Sequence, residues 1–246
     1  MNSDYPLVSV IIPTLNEEKL ISCTISPFSP SLKQKYKIEL IISDGGSKDS
    51  TLSIVGQFAD RIVEPAPGEK QNIPIGRNAG AFKASGKYVY VMCADTRIKD
   101  IDDFFSKTLQ VFENKKTVAL TCKVKVFPEE EKLIDKLFHF FYNNYVFVLN
   151  KLGIGMGRGE CQMVRKDAFI KVGGYNEKMP AGEDFDLYRR LKKYGKIKFI
   201  RSLTVYESPR RYRKEGYHKV FWNWTVNSLS VFFWNKAISK KWEAVR

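Results

Sequence analysis

Hydrophobic positions along this chain fall into two patterns. In the N-terminal part, short unbroken apolar runs stop abruptly at polar residues: "LVSVIIPTL" before Asn16 and Glu17, "KIELIISDGG" at Asp44 and Gly45, "KYVYVMCAD" at Asp95. Such runs suit strands buried on both faces. Between them lie helix candidates, "NEEKLISCTI" with Asn16 in an N-cap position, "DSTLSIVGQFA" with Asp49 or Ser50 as cap, and "IPIGRNAGAFKA"; "RIVEP" reads as a further short strand. Successive strand-then-helix units predict a mostly parallel sheet covered on both faces. Ligands of such sheets bind beyond the carboxyl ends of the strands. Thr14, Asn16, Glu17, Asp44, Gly45 and Asp95 are therefore expected on one rim. A single Asp after a strand is usually a turn or cap residue; three acidic strand ends on a shared rim point more strongly to a ligand.

Helical spacing dominates the second half. "EKLIDKLFHFFYNNYVFVLNKLGIGMGRGE" predicts a long aromatic helix and then a turn rich in glycine, at Gly153, Gly155, Gly157 and Gly159. Its aromatics are expected to pack in the core, and His139 to be a packed surface histidine. "AGEDFDLYRRLKKYG" places Glu183 and Asp184 at the start of an amphipathic helix, where acids are favourable even without chemistry. The tail "GYHKVFWNWTVNSLSVFFWNKAISKKWEAVR" is too interrupted to span a bilayer. Two readings stand for it: an interfacial helix on anionic lipid, or a helix docked on the sheet domain or in a homodimer.

Composition narrows the class. With 246 residues and 43% hydrophobic content, the chain can bury one large core. Four cysteines without a CxxC pair suggest reduced, mostly buried thiols. The formal net charge of +14, weighted toward the C-terminal third, suits nucleic acid, anionic lipid or a phosphorylated substrate. No zinc finger, RNP motif or heptad basic region favours nucleic acid, which is not expected as a partner. "SDGGSKDST" is neither a Walker loop nor a dinucleotide fingerprint. "MNSDYPLVSVIIPTLNEE" lacks a basic region before its apolar run, so no signal peptide is expected.

Taken in order, "VSVIIPTLNEE", "ELIISDGGSKDST", "GRNAGAFKASGKYVYVMCADT" and "RGECQMVRKDAFIKVGGYNEKMPAGEDFDLYRRLKKYG" resemble the family 2 nucleotide-sugar glycosyltransferases. The resemblance covers about residues 6–210. It implies a GT-A fold, a Rossmann-like, mostly parallel mixed sheet flanked by helices. Residues 1–210 would form the transferase domain, its donor half about 1–97 and its acceptor half about 98–210, with 211–246 a C-terminal amphipathic helical extension. Donor-site residues implied are Pro13, Thr14, Glu17, Asp44, Gly45, Arg77, Ala94 and Asp95, with Glu17 toward the ribose, Asp44 on the base and Arg77 near the diphosphate. The family's DxD motif reads Cys93, Ala94, Asp95 here. The metal-facing Asp95 is retained, the first acidic position is lost, and Cys93 is expected to be a buried strand residue. One carboxylate plus phosphate oxygens can hold Mg2+ or Mn2+.

On the acceptor side the resemblance implies Gly159, Glu160 and Glu183, with Asp184 as general base of an inverting transfer. Arg210, Arg211 and Arg213 lie where later arginines could touch the diphosphate, although "SPRRY" lacks the Gln and Trp of the QxxRW motif of processive members. The implied partners are a nucleotide-sugar donor, UDP-sugar before GDP-sugar, and a glycan or lipid-linked acceptor. The implied location is cytoplasmic or peripheral at the inner face of the plasma membrane. The alternative is a catalytically weak nucleotide-sugar-binding protein of the same fold, to which the Cys93 departure is the pointer.

Overall fold

The computed structural model describes residues 6–66, 68–69, 72–239 and 245; the tail's last tryptophan, Trp242, lies outside them. In chain order the elements are β1 (Val8–Thr14), α1 (Ile21–Ile25), α2 (Pro30–Tyr36), β2 (Ile38–Asp44), α3 (Thr51–Val55), β3 (Arg61–Val63), α4 (Ile73–Lys83), β4 (Tyr88–Met92), β5 (Thr96–Ile98) and α5 (Ile101–Glu113). Then follow β6 (Thr117–Val126), α6 (Leu133–Lys151), β7 (Cys161–Arg165), α7 (Lys166–Lys171), α8 (Glu183–Leu191), β8 (Lys196–Glu207), α9 (Arg210–Glu215) and α10 (Tyr217–Trp234).

The strands form one sheet in the order β3-β2-β1-β4-β7-β6-β8-β5. β3, β2, β1 and β4 run parallel, β7 is antiparallel to β4 and β6, β8 is parallel to β6, and β5 is antiparallel to β8. The register of β1 on β2 sets Thr14 opposite Asp44, so their polar ends meet at one level.

Alternation along the strands divides the core in two. Val10, Ile12, Leu40 and Ile42 face Phe28 and the α5 aromatics Phe104 and Phe105. Ile11, Ile41 and Val91 face the other way, toward Phe169, Leu187 and Tyr188. α4 begins where Asn72 caps it, its side chain accepting from the Ile75 N–H at 2.9 Å, with Pro74 in the first turn.

Four expectations need correction. Asn16 caps no helix: α1 starts only at Ile21, while Asn16 adopts φ 53° and its side chain accepts from the Lys48 N–H. Cys23 is exposed, although Cys122 and Cys161 are buried. His139 is buried rather than at the surface, wedged between Phe138 and Tyr212. The long helix does not send all its aromatics inward: Tyr142 is buried, whereas Phe140 and Phe141 are exposed.

The tail helix is docked. Val220, Trp224 and Val231 pack with Tyr142, Phe138 and Phe185, so α10 completes a core that begins in α6 and α8. Among the described residues no helix is long and apolar enough to cross a membrane.

Candidate active site

At the ends of β1 and β2 a hydrogen-bonded cradle forms around Asp44. Thr14 Oγ1 donates to Asp44 Oδ1 at 2.9 Å, and the Gly46 and Ser47 N–H groups donate to Oδ2 at 2.8 and 2.7 Å. Gly45 N–H donates to the Thr14 carbonyl at 2.8 Å, tying the two strand ends together. Pro13 is half-buried beside Gly76 of α4. Asp44 is thus a fixed acceptor at the mouth of the sheet.

A second group joins the first strand to the C-terminal helices. Arg210, opening α9, makes a two-pronged pair with Glu17, Nη1 to Oε2 and Nη2 to Oε1, both at 2.8 Å. The same Nη2 lies 3.0 Å from Asp95 Oδ2. Burial holds the Asp95 carboxyl above the ordinary range; Arg210 pulls it down and Glu17 pushes it further up. Ala94 is buried behind it, its carbonyl accepting from Thr24 Oγ1 at 2.7 Å. Glu17 and Asp95 thus share one guanidinium. Among the described residues no cluster of three or more His, Cys, Asp or Glu could hold a metal ion alone.

The third group lies where the parallel strands give way to β7. Arg77 of α4 is buried, with Nη1 2.6 Å from Glu183 Oε1 and Nη2 donating to the Gly159 carbonyl at 3.0 Å. Its guanidinium carbon stands 5.4 Å from the Tyr175 ring centroid. Cys93 is half-buried one residue past β4, with Sγ 3.3 Å from the Gly159 carbonyl; burial pushes its thiol well up, so it stays protonated. Asp184 heads α8 beside Glu183, where Gly182, at φ 78°, turns the chain into the helix. Asp184 Oδ1 accepts from the Phe185 N–H at 2.8 Å, and Oδ2 would stand 3.6 Å from a Cβ placed on Gly159. Gly159 therefore leaves room beside that free oxygen. Burial raises both neighbouring carboxyls, Glu183 to about 7, against the lowering influence of Arg77. A carboxylate with one oxygen anchored, one open and its basicity raised can accept a proton.

Residues 9–173 match the family model described as glycosyl transferase family 2, about two-thirds of the chain. The chain belongs to that family. Among curated glycosyltransferases it is 24% identical over 221 residues to the probable glycosyltransferase YdaM of Bacillus subtilis (strain 168), covering 83% of this chain and 51% of that protein. The mannosyltransferase PcManGT from Pyrobaculum calidifontis, solved with GDP-Man and Mn2+, superposes with a TM-score of 0.69 at 20% identity, over 91% of this chain and 62% of that one. Staphylococcus aureus TarS, solved with UDP-GlcNAc, superposes with a TM-score of 0.59 at 16% identity, over 92% and 73%. These superpositions carry the GT-A fold. The chain spans about half the length, or less, of the first curated relatives it matches.

In this family 2 chain the three later arginines part company. Arg210 alone of them pairs with the rim carboxylates; Arg211 pairs with Glu215 at 2.5 Å, and Arg213 with the buried Asp135 of α6. Glu160 belongs to a network that sequence reasoning missed. Arg158, buried and stacked over Tyr142 and Trp224, grips Glu160 at 3.0 and 3.1 Å and reaches Glu207 at 3.5 Å. Burial pushes Glu160 up, but Arg158 more than offsets it and the carboxyl ends below the usual range. Glu207 is held well above that range by burial and by the charge of Glu160, and takes a hydrogen bond from the Tyr212 hydroxyl at 2.7 Å. Glu207 ends β8, which runs parallel to β1 and β4, so it lies on the same rim as Asp44 and Asp95, although no apolar run in the sequence marks it.

Proposed function

We propose that this chain is an inverting glycosyltransferase that moves a sugar from a nucleoside-diphosphate sugar, UDP-linked before GDP-linked, to a hydroxyl or lipid-phosphate acceptor. The observation that carries this reading is Asp184 itself, its Oδ1 anchored on the Phe185 N–H, its Oδ2 beside Gly159 and its basicity raised by burial. Thr14 and Asp44 serve the nucleoside, Asp44 as acceptor for the base, and Glu17 serves the ribose. Arg77 holds Glu183 in place beside the acceptor, within reach of the donor phosphates.

In the reaction the acceptor oxygen attacks the anomeric carbon as Asp184 Oδ2 takes its proton. The bond from that carbon to the diphosphate oxygen breaks, and the diphosphate leaves with the electron pair. One attack from the side opposite the leaving group inverts the anomeric centre. The residues present fit a divalent cation: Asp95 and Glu17 offer hard carboxylate oxygens that already converge on one positive group. They would hold Mg2+ or Mn2+ with the donor phosphates, and the ion would neutralise the charge of the leaving diphosphate.

The test is a thermal-shift screen of nucleotides and nucleotide-sugars with EDTA, Mg2+ or Mn2+. Stabilisation by one nucleoside diphosphate series in the presence of metal is expected. Donor stabilisation with no transfer to any acceptor would favour the weakly catalytic binding protein.

A further inference from the structure

Between α6 and strands β6 and β8 runs a groove of about 720 Å3, and no residue of the three strand-end groups lines it. Four cations stand in its wall: Lys123 and Lys125 on β6, Lys136 on α6 and Arg201 on β8. Among the described residues that line the groove, Glu131 is the one acid, 3.8 Å from Lys136. Among the described residues Lys123 and Lys125 have no carboxylate partner. Asn143 and Asn144 also line it, and Leu137, Phe140, Phe147 and Phe199 give it an apolar side, with Arg201 stacked 4.5 Å from the Phe147 ring centroid. His139 also lines the groove, 1% exposed, and neither of its ring nitrogens has a hydrogen-bond partner. Burial, with Arg158 adding, keeps that imidazole neutral, its pKa down at about 3. Lys123 is shifted down as well, by burial and then by the charges of Lys125 and Arg201.

The groove opens beside an unusual helix face. α6 buries Asp135, His139, Tyr142 and Val146 along one side. On the opposite side Leu133, Leu137, Phe140, Phe141, Val148 and Leu152 are exposed at helical spacing. α10, packed against α6 through Trp224, likewise turns Phe221, Trp222, Leu229 and Phe233 outward. Apolar faces of this extent mark an interaction surface. Its occupant must offer apolar chains and negative charge side by side. Nucleic acid or free phosphate would leave the α6 face in water, and a second copy of a chain of net charge +14 would bring the same cations against these.

We propose that α6 rests in the interfacial layer of an anionic bilayer, and that the groove takes the phosphate of one anionic lipid. Lys123, Lys125, Lys136 and Arg201 surround the headgroup, and the acyl chains run along Leu137, Phe140 and Phe141; His139, its Nε2 3.6 Å from Glu207 Oε1, stays behind the wall. The arrangement is that of an amphipathic helix lying in the membrane plane, with charge attraction added to apolar burial. This surface does not depend on the proposed transfer reaction.

The test is co-sedimentation of the full chain with vesicles of phosphatidylcholine alone or mixed with phosphatidylglycerol, in the absence of donor. Binding to the mixed vesicles, weakened by salt, is expected. Lys123→Glu with Lys125→Glu should lower the partition coefficient about tenfold or more. Leu137→Ser with Phe141→Ser, both at exposed positions, should lower it independently and leave a fold unchanged by circular dichroism. Nucleotide thermal shifts on the same variants should match wild type, so failure of the lipid site and failure of the donor site are read separately. Equal binding to neutral vesicles, or charge reversal without effect, overturns the proposal. So does stabilisation by inorganic phosphate without vesicle binding, which marks a diffusible anion, or a dimer broken by Phe141→Ser without vesicle binding, which marks a second copy.

Discussion

At the scale of single residues, the raised carboxyls at the start of α8 govern the expected chemistry. Asp184→Asn removes the proposed base while keeping the side-chain shape and an acceptor oxygen for the Phe185 N–H. Turnover should fall by about a thousandfold with the donor-induced thermal shift retained; an unchanged rate would assign the base elsewhere. Asp184 works deprotonated and its pKa is raised, so activity should be lost on acidification at a higher pH than for an ordinary aspartate. Arg77 lowers both Glu183 and Asp184. Arg77→Met should therefore move the acid limb of the pH–rate profile upward by about one unit or more. Thr14, Glu17, Asp44 and Asp95 were legible because each ends an unbroken apolar run. Arg158 was not, because its meaning lies in Glu160, Glu207, Tyr142 and Trp224, three of which are distant in sequence. Cys93, the residue at which the resemblance implies a departure, presents a protonated thiol toward the Gly159 carbonyl, with Arg77 Nη2 3.9 Å from its sulfur.

At the scale of elements, strands β1, β2 and β4 could be read directly because they are buried on both faces. The later strands could not. β8 alternates poorly, "KIKFIRSLTVYE", because its pairing with β6 slips: Cys122 faces Ile200 and Lys123 faces Thr204, leaving extra residues on β8 between them. α6 misled for another reason. It is apolar on nearly every side, and periodicity alone does not say which apolar side faces the core. Its glycine-rich exit is tightly packed: a Cβ on Gly157 would stand 2.5 Å from the Tyr188 ring. That ring is buried and anchored, its hydroxyl donating to the Leu120 carbonyl at 2.5 Å and accepting from the Met163 N–H at 3.2 Å. Gly157→Ala should cost about 1–3 kcal/mol, read as a lower urea midpoint with an unchanged slope.

At the scale of the whole molecule, the tail serves as structure. A chain ended after Pro209 would lose Val220, Trp224 and Val231 and bare Tyr142, Phe185 and Arg158. Such a chain should lose its cooperative thermal transition, whereas an independent extension would leave the transition near its original temperature. The bond between Arg210 and Glu17 spans 193 positions. It ties the segment that follows β1 to the start of α9. In hydrogen-exchange terms the amides just after β1 and those of α9 are expected to open together. A nucleotide that competes for Glu17 and Asp95 should speed exchange in both together, and one that tightens the clasp should slow both. Exchange at α9 would then read the state of the Glu17 carboxylate from 193 positions away, with no separate sensor in between.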